Sequence, residues 1–116
     1  MLEKSNFVEK YIKYCKESLK AMEKGDSRTN NRYAKRLNSL EKQYENEKYY
    51  LEALNEIMDN EDLGVASFAA SEFLRRNSNT EKAERVLKKV MQETSGVTAF
   101  GAEMALKIWY ERTNGK

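Results

Sequence analysis

The stretch Gly64-Val65-Ala66-Ser67-Phe68-Ala69-Ala70-Ser71-Glu72-Phe73-Leu74 returns 32 residues later as Gly96-Val97-Thr98-Ala99-Phe100-Gly101-Ala102-Glu103-Met104-Ala105-Leu106. Five of the eleven positions are identical: the glycine, valine, phenylalanine, one alanine and the leucine. Their spacing is helical, so each copy reads as one helix with an apolar face. The same shift carries Leu51, Leu54 and Met58 upstream onto Ala83, Val86 and Val90. A helix-turn-helix unit repeating at this period is the signature of a solenoid, in which each unit buries its apolar face against the next. Ala69, Ala70, Gly101, Ala102 and Ala105 are read as the small residues that let stacked axes approach. Gly101 in particular predicts a contact too close for a methyl group, because a glycine inside a helix costs about 1 kcal/mol relative to alanine.

Outward from the repeat, the whole chain has helical periodicity. Val8, Ile12, Cys15, Leu19 and Met22 step by three and four, and so do Tyr33, Leu37, Leu40 and Tyr44. Gly25 suits the end of the first helix and Asp26 the N-cap of the second, which makes a hairpin with a tight turn. A third helix is predicted over 47–58, burying Leu51, Leu54 and Met58, and a fourth over 63–76. Ser78 and Glu81 have capping-box spacing ahead of a fifth helix that ends near Glu93. After the turn at Thr94-Ser95-Gly96, a last helix points Phe100, Met104, Ala105, Ile108 and Trp109 inward. The chain is therefore expected to be all-α: a short HEAT-like α-α superhelix of about six helices, forming one domain over 1–116. Its long N-terminal hairpin (1–46) caps two 32-residue helix pairs (47–76 and 81–112).

Within this frame, Asp62-x-x-Val65-x-x-x-Ala69-Ala70-x-x-x-Leu74 is similar to the second helix of a HEAT repeat. That class commonly has arginine directly after the valine, where this chain has Ala66. The chain as a whole resembles a bacterial family of small HEAT-like α-α superhelical proteins, the domain of unknown function two thousand and nineteen. The segments that carry the resemblance are Gly25-Asp26-x-Arg28-x-x-Asn31-Arg32-Tyr33, the Asp62–Leu74 stretch, and Phe100-x-Ala102-Glu103-Met104-x-Leu106-x-x-Trp109. The resemblance implies the fold and transfers no chemistry.

Composition restricts the function classes. The chain has 116 residues, 34% of them charged, with no histidine, no proline and one cysteine. A domain of this size buries about two-thirds of its unfolded surface and needs no staple. Without histidine, Ser-His and Cys-His catalysis and histidine-ligated metals are excluded. Cys15 lies on an apolar stripe and reads as a small core residue. The acidic run from Asp59 to Gly64 has Leu63 and Ala70 where a calcium loop requires oxygen ligands, so no metal or cofactor is expected. No apolar run is long enough to span a bilayer, and the first residues lack the apolar core of a signal peptide, so a cytoplasmic protein without membrane contact is expected.

The candidate binding residues are polar or aromatic. Residues 1–48 carry 12 Lys/Arg against 8 Asp/Glu. Lys13, Lys16 and Lys20 lie along helix one, and Arg28, Arg32 and Arg36 continue the line. Seven tyrosines are many for this length, and Tyr49 and Tyr50 are read as interface anchors beside those lysines. Asn31, Arg32 and Glu103 stand inside the family-like segments and are read as a buried polar clamp or a shallow site. No set of residues suggests catalysis. The function expected is a non-enzymatic protein-binding module, specifically a bacterial immunity protein that neutralises a toxin partner. The alternative is a nucleic-acid binder using the basic face of the hairpin.

Overall fold

The structure is a computed structural model describing residues 2–114. The expected 1–116 span runs past these bounds at Met1, Gly115 and Lys116, which lie outside the described residues. Six helices follow one another: α1 (Lys4–Glu23), α2 (Ser27–Tyr44), α3 (Tyr50–Met58), α4 (Leu63–Arg75), α5 (Thr80–Glu93) and α6 (Gly96–Asn114). There is no strand among the described residues, and the protein is all-α.

Gly25 and Asp26 make the first turn so short by serving two helices at once. Gly25 takes a left-handed φ of 72°. Its N–H donates to Met22 and that of Asp26 to Ala21, the paired bonds that close a Schellman motif. The Asp26 carboxylate meanwhile accepts from the Thr29 amide and caps α2. The turn between α4 and α5 departs from expectation. The Asn77 N–H donates to Leu74 and that of Ser78 to Phe73, with Asn77 at φ 55°. These residues therefore terminate α4, and the anticipated Ser78–Glu81 capping box does not form; Asn79 precedes α5 without a side-chain cap. The third helix starts at Tyr50, three residues later than expected, because the polar run from Glu45 to Lys48 is spent in tight turns.

The core is built on aromatic residues. Phe7 packs on Tyr11, Tyr44 and Tyr50 with ring centroids 5.5, 5.1 and 5.3 Å apart, within the range of favourable tilted pairs. The buried line of α1 is Phe7, Tyr11, Cys15, Ser18 and Ala21. Val8, Ile12, Leu19 and Met22, expected at its centre, lie half-buried on its flank. In α3 the inward face runs through Tyr50, Ala53, Leu54, Ile57 and Met58, leaving Leu51 44% exposed at its edge.

The repeat positions behave unequally. Ala70 and Ala102 are both buried, as are Leu74 and Leu106. Phe68 is half-buried, whereas Phe100 is 62% exposed and Ile108 57% exposed. Helix α4 is covered on several sides by α1, α3, α5 and α6, while α6 is the last helix described and buries only Ala102 and Leu106. The close approach predicted at Gly101 is absent, since a Cβ there would meet open space. It occurs instead at Gly64, where a methyl would overlap the Leu19 side chain of α1.

Candidate functional site

Helix directions shape a groove on one side of the molecule. Leu19 of α1 meets Gly64 at the start of α4, and Tyr11 lies in the field of Glu72 near its end, so the two helices are antiparallel. Short turns make α1 and α2, α4 and α5, and α5 and α6 antiparallel neighbours. Helices α2, α4 and α6 consequently point the same way. Between α2 and α6 lies a groove of about 720 Å³, floored by α4 and α1. Ser27 and Val97 mark one end of it, and Glu41, Arg75 and Arg112 the other. The distance from Ser27 to Glu41 along α2 is about 21 Å at helical rise.

The walls are apolar where they meet solvent. Phe100 and Ile108 of α6 line the opening, Phe68 of α4 is half-buried beside them, and Leu74 of α4 and Leu37 of α2 are buried beneath. Trp109, the single tryptophan, also lines it, and its indole N–H is buried without an acceptor among the described residues. Soluble chains normally bury such side chains or use them.

The end of the groove near the helix C-termini holds a polar cluster. Glu41 is only 7% exposed, and its Oε2 has no hydrogen-bond partner among the described residues. Burial, and then the neighbouring Glu72 carboxylate, push the Glu41 carboxyl up to about 7. Glu72 is itself buried, and two arginines compensate it. Arg75 is in contact with Oε1, and Arg76 Nε donates to Oε2 at 2.6 Å. Arg76 also reaches Glu45 at 3.2 Å and lies 4.8 Å above the centroid of the Tyr50 ring. Burial raises the Tyr50 phenol and the Cys15 thiol well above their ordinary ranges, so neither ionises near neutrality. Arg112 closes this end by donating to the Leu74 carbonyl.

The residues singled out from the sequence lie elsewhere. Lys13, Lys16 and Lys20 are exposed along α1, and Lys16 and Lys20 border a shallower depression near the start of α4. Tyr50 is a core residue at 1% exposure, packed beneath Arg76, and offers no surface to a partner. Tyr49 is half-buried against Tyr44. The clamp expected from Asn31, Arg32 and Glu103 is not formed, because all three side chains are exposed. Asn30 does link the hairpin arms, accepting from the Ser18 hydroxyl at 2.6 Å. Arg32 and Arg36 stack on Tyr33, with centroid distances of 5.6 and 5.0 Å. Sequence reasoning missed the Glu41–Glu72–arginine cluster. Its available signal was two glutamates set within apolar helical faces, beside Leu40 and Phe73.

Among the described residues, no helix is long and apolar enough to cross a membrane, and no three acidic or cysteine side chains converge as a metal site. No protein family, characterised protein or solved structure matches the chain.

Proposed function

We propose that this chain is a non-enzymatic protein-binding module whose groove between α2 and α6 receives an apolar helix of a partner protein. The observation that carries this reading is the line of Phe100 and Ile108, both more than half exposed on the groove wall. An amphipathic helix reads such a groove through anchors at i, i+3, i+4 and i+7. The length fits, since about 21 Å accommodates about 14 helical residues, or four turns. The short α-α superhelix suggested by the internal repeat supports the same reading, since superhelices of this kind bind along extended concave faces. Within the class, the role proposed is that of a bacterial immunity protein, with the groove engaging a helix of the toxin it neutralises.

The test is selection of helical peptides from a displayed library against the folded chain, followed by competition with Phe100→Asp and Ile108→Asp variants. Enrichment of an i, i+3, i+4, i+7 apolar pattern, lost in both variants, is the expected result. A second surface supports the nucleic-acid alternative: the exposed Lys13, Lys16 and Lys20, with Arg32 and Arg36 stacked on Tyr33. Steeply salt-dependent binding of generic RNA or DNA, retained in the groove variants and lost on charge reversal of the lysines, would displace the groove reading in its favour.

A further inference from the structure

We infer that the groove accepts its helix in one direction only, antiparallel to α2, α4 and α6, with the amino-terminal amides of that helix donating to the carboxyl of Glu41. The inference rests on the helix-binding reading above and adds the polarity and the polar contact.

Three observations converge on it. The first is the unpartnered Glu41 Oε2, more than nine-tenths buried and set in the groove lining. A buried carboxyl oxygen without a donor is costly, so an occupant that brings one gains more than it would at the surface. The second is the local charge, which selects the kind of donor. Arg75 and Arg76 already share Glu72, and Arg112 adds a third cation at the same end. An incoming lysine or arginine would meet three like charges, and an incoming carboxylate would meet Glu41 and Glu72. The first turn of a helix meets neither objection, because it presents up to four unpaired N–H groups with only a partial positive charge. The third is the common direction of α2, α4 and α6. Their carboxyl ends gather where Glu41 stands, so an antiparallel occupant aligns its dipole favourably with all three.

Glu41 shares this end of the groove with charged and titratable groups from the elements around it: Tyr11 and Cys15 of α1, Tyr50 of α3, Glu72, Arg75 and Arg76 of α4, and Arg112 of α6. No side chain among the described residues donates to Oε2, so an occupant of the groove can supply the donor.

The experiment uses an acetylated, Leu/Ala-rich helical peptide of about 15 residues, with glutamine on its polar face and a nitroxide at one end or the other. Binding to the full chain is followed by Trp109 fluorescence, and orientation by broadening of amide signals in the isotope-labelled protein. A nitroxide at the peptide amino terminus should broaden Glu41 and the Trp109 indole, and one at the carboxyl terminus Ser27 and Val97. N-methylation of two first-turn amides should weaken binding about tenfold. The Glu41→Leu variant should lose both the directional preference and the N-methyl effect. If that variant fails to fold, Glu41→Gln, which keeps the shape but not the charge, should bind severalfold more weakly. A reversed or mixed orientation, or indifference to N-methylation, overturns the inference while leaving a helix in the groove. Absence of any Trp109 response to the peptide overturns the groove reading itself.

Discussion

Replacing Glu41 with glutamine should stabilise the protein in alkaline solution and leave it unchanged in acid. Burial and Glu72 raise the carboxyl from 4.5 to about 7. A displacement of that size makes the ionised form about 3 kcal/mol less favourable in the folded chain than in water. The direction follows from proton linkage. The folded state holds this proton more tightly than the unfolded state does, so the stabilisation is complete below the unfolded value of 4.5 and disappears as pH rises through about 7. Glutamine resembles the neutral acid and does not titrate, so the variant keeps its stability where the wild type loses it. Denaturant melts of both proteins at about pH 4 and about pH 8.5 should then differ by close to zero and by about 3 kcal/mol respectively. Groups distant from Glu41 and its coupled neighbour Glu72 cancel in the difference. A difference of equal size at both values would mean that Glu41 is not a buried acid, and the polar end of the groove would have to be redrawn.

The exposed apolar residues of α6 should matter little to folding. Phe100→Asp and Ile108→Asp should each change stability by no more than about 0.5 kcal/mol in a urea melt, as surface substitutions do; a loss above about 2 kcal/mol would place them in the core. Gly101→Ala should raise stability by about 1 kcal/mol, because the position is helical and the added methyl meets no neighbour; any loss in a thermal melt would reinstate a close contact there. Cys15 should resist iodoacetamide in the native protein and react only on unfolding, since it is fully buried and its thiol stays protonated. Fast alkylation under native conditions would contradict its place in the core.

The fold was legible because helical periodicity and turn chemistry agreed along the chain. Gly25 and Asp26 give a left-handed stop followed by a capping carboxylate, and both do what their types dictate. Phase was harder to read than helix. In α1, Val8, Ile12, Leu19 and Met22 and the line of Phe7, Tyr11, Ser18 and Ala21 both have helical spacing, with Cys15 common to the two. Hydrophobicity favours the first, but the three aromatic partners gathered around Phe7 select the second. Asn77 and Ser78 carried the right message at the wrong place: polar residues between helices can end one or begin the next. Here the two amides closing back on α4 decide it.

The site was less legible because it depends on how the repeats differ, and repeats are recognised by how they agree. At the 32-residue shift, Glu72 corresponds to Met104 and Arg76 to Ile108. Helix α4 is internal and faces Glu41 of the hairpin, so its unmatched positions carry the charges that compensate one another there. In α6 the equivalent positions are Met104 and Ile108, both apolar, and Ile108 meets solvent on the groove wall. One repeat thus supplies the polar end of the groove and the other its apolar wall. A strict repeat would supply neither. Two copies of α4 would leave a second glutamate, half-buried at the Met104 position, without its hairpin partner, and two copies of α6 would leave Glu41 facing methionine. On this argument, exchanging the pair, Glu72→Met with Met104→Glu, preserves composition and helical pattern but should destabilise the chain. It removes the buried carboxylate that Arg75 and Arg76 share; both arginines reach solvent and Arg76 keeps Glu45, so the loss should be about 1–2 kcal/mol rather than that of a fully buried pair. An unchanged midpoint in a thermal melt of the double variant would mean that the charges at this end of the groove are ordinary surface residues.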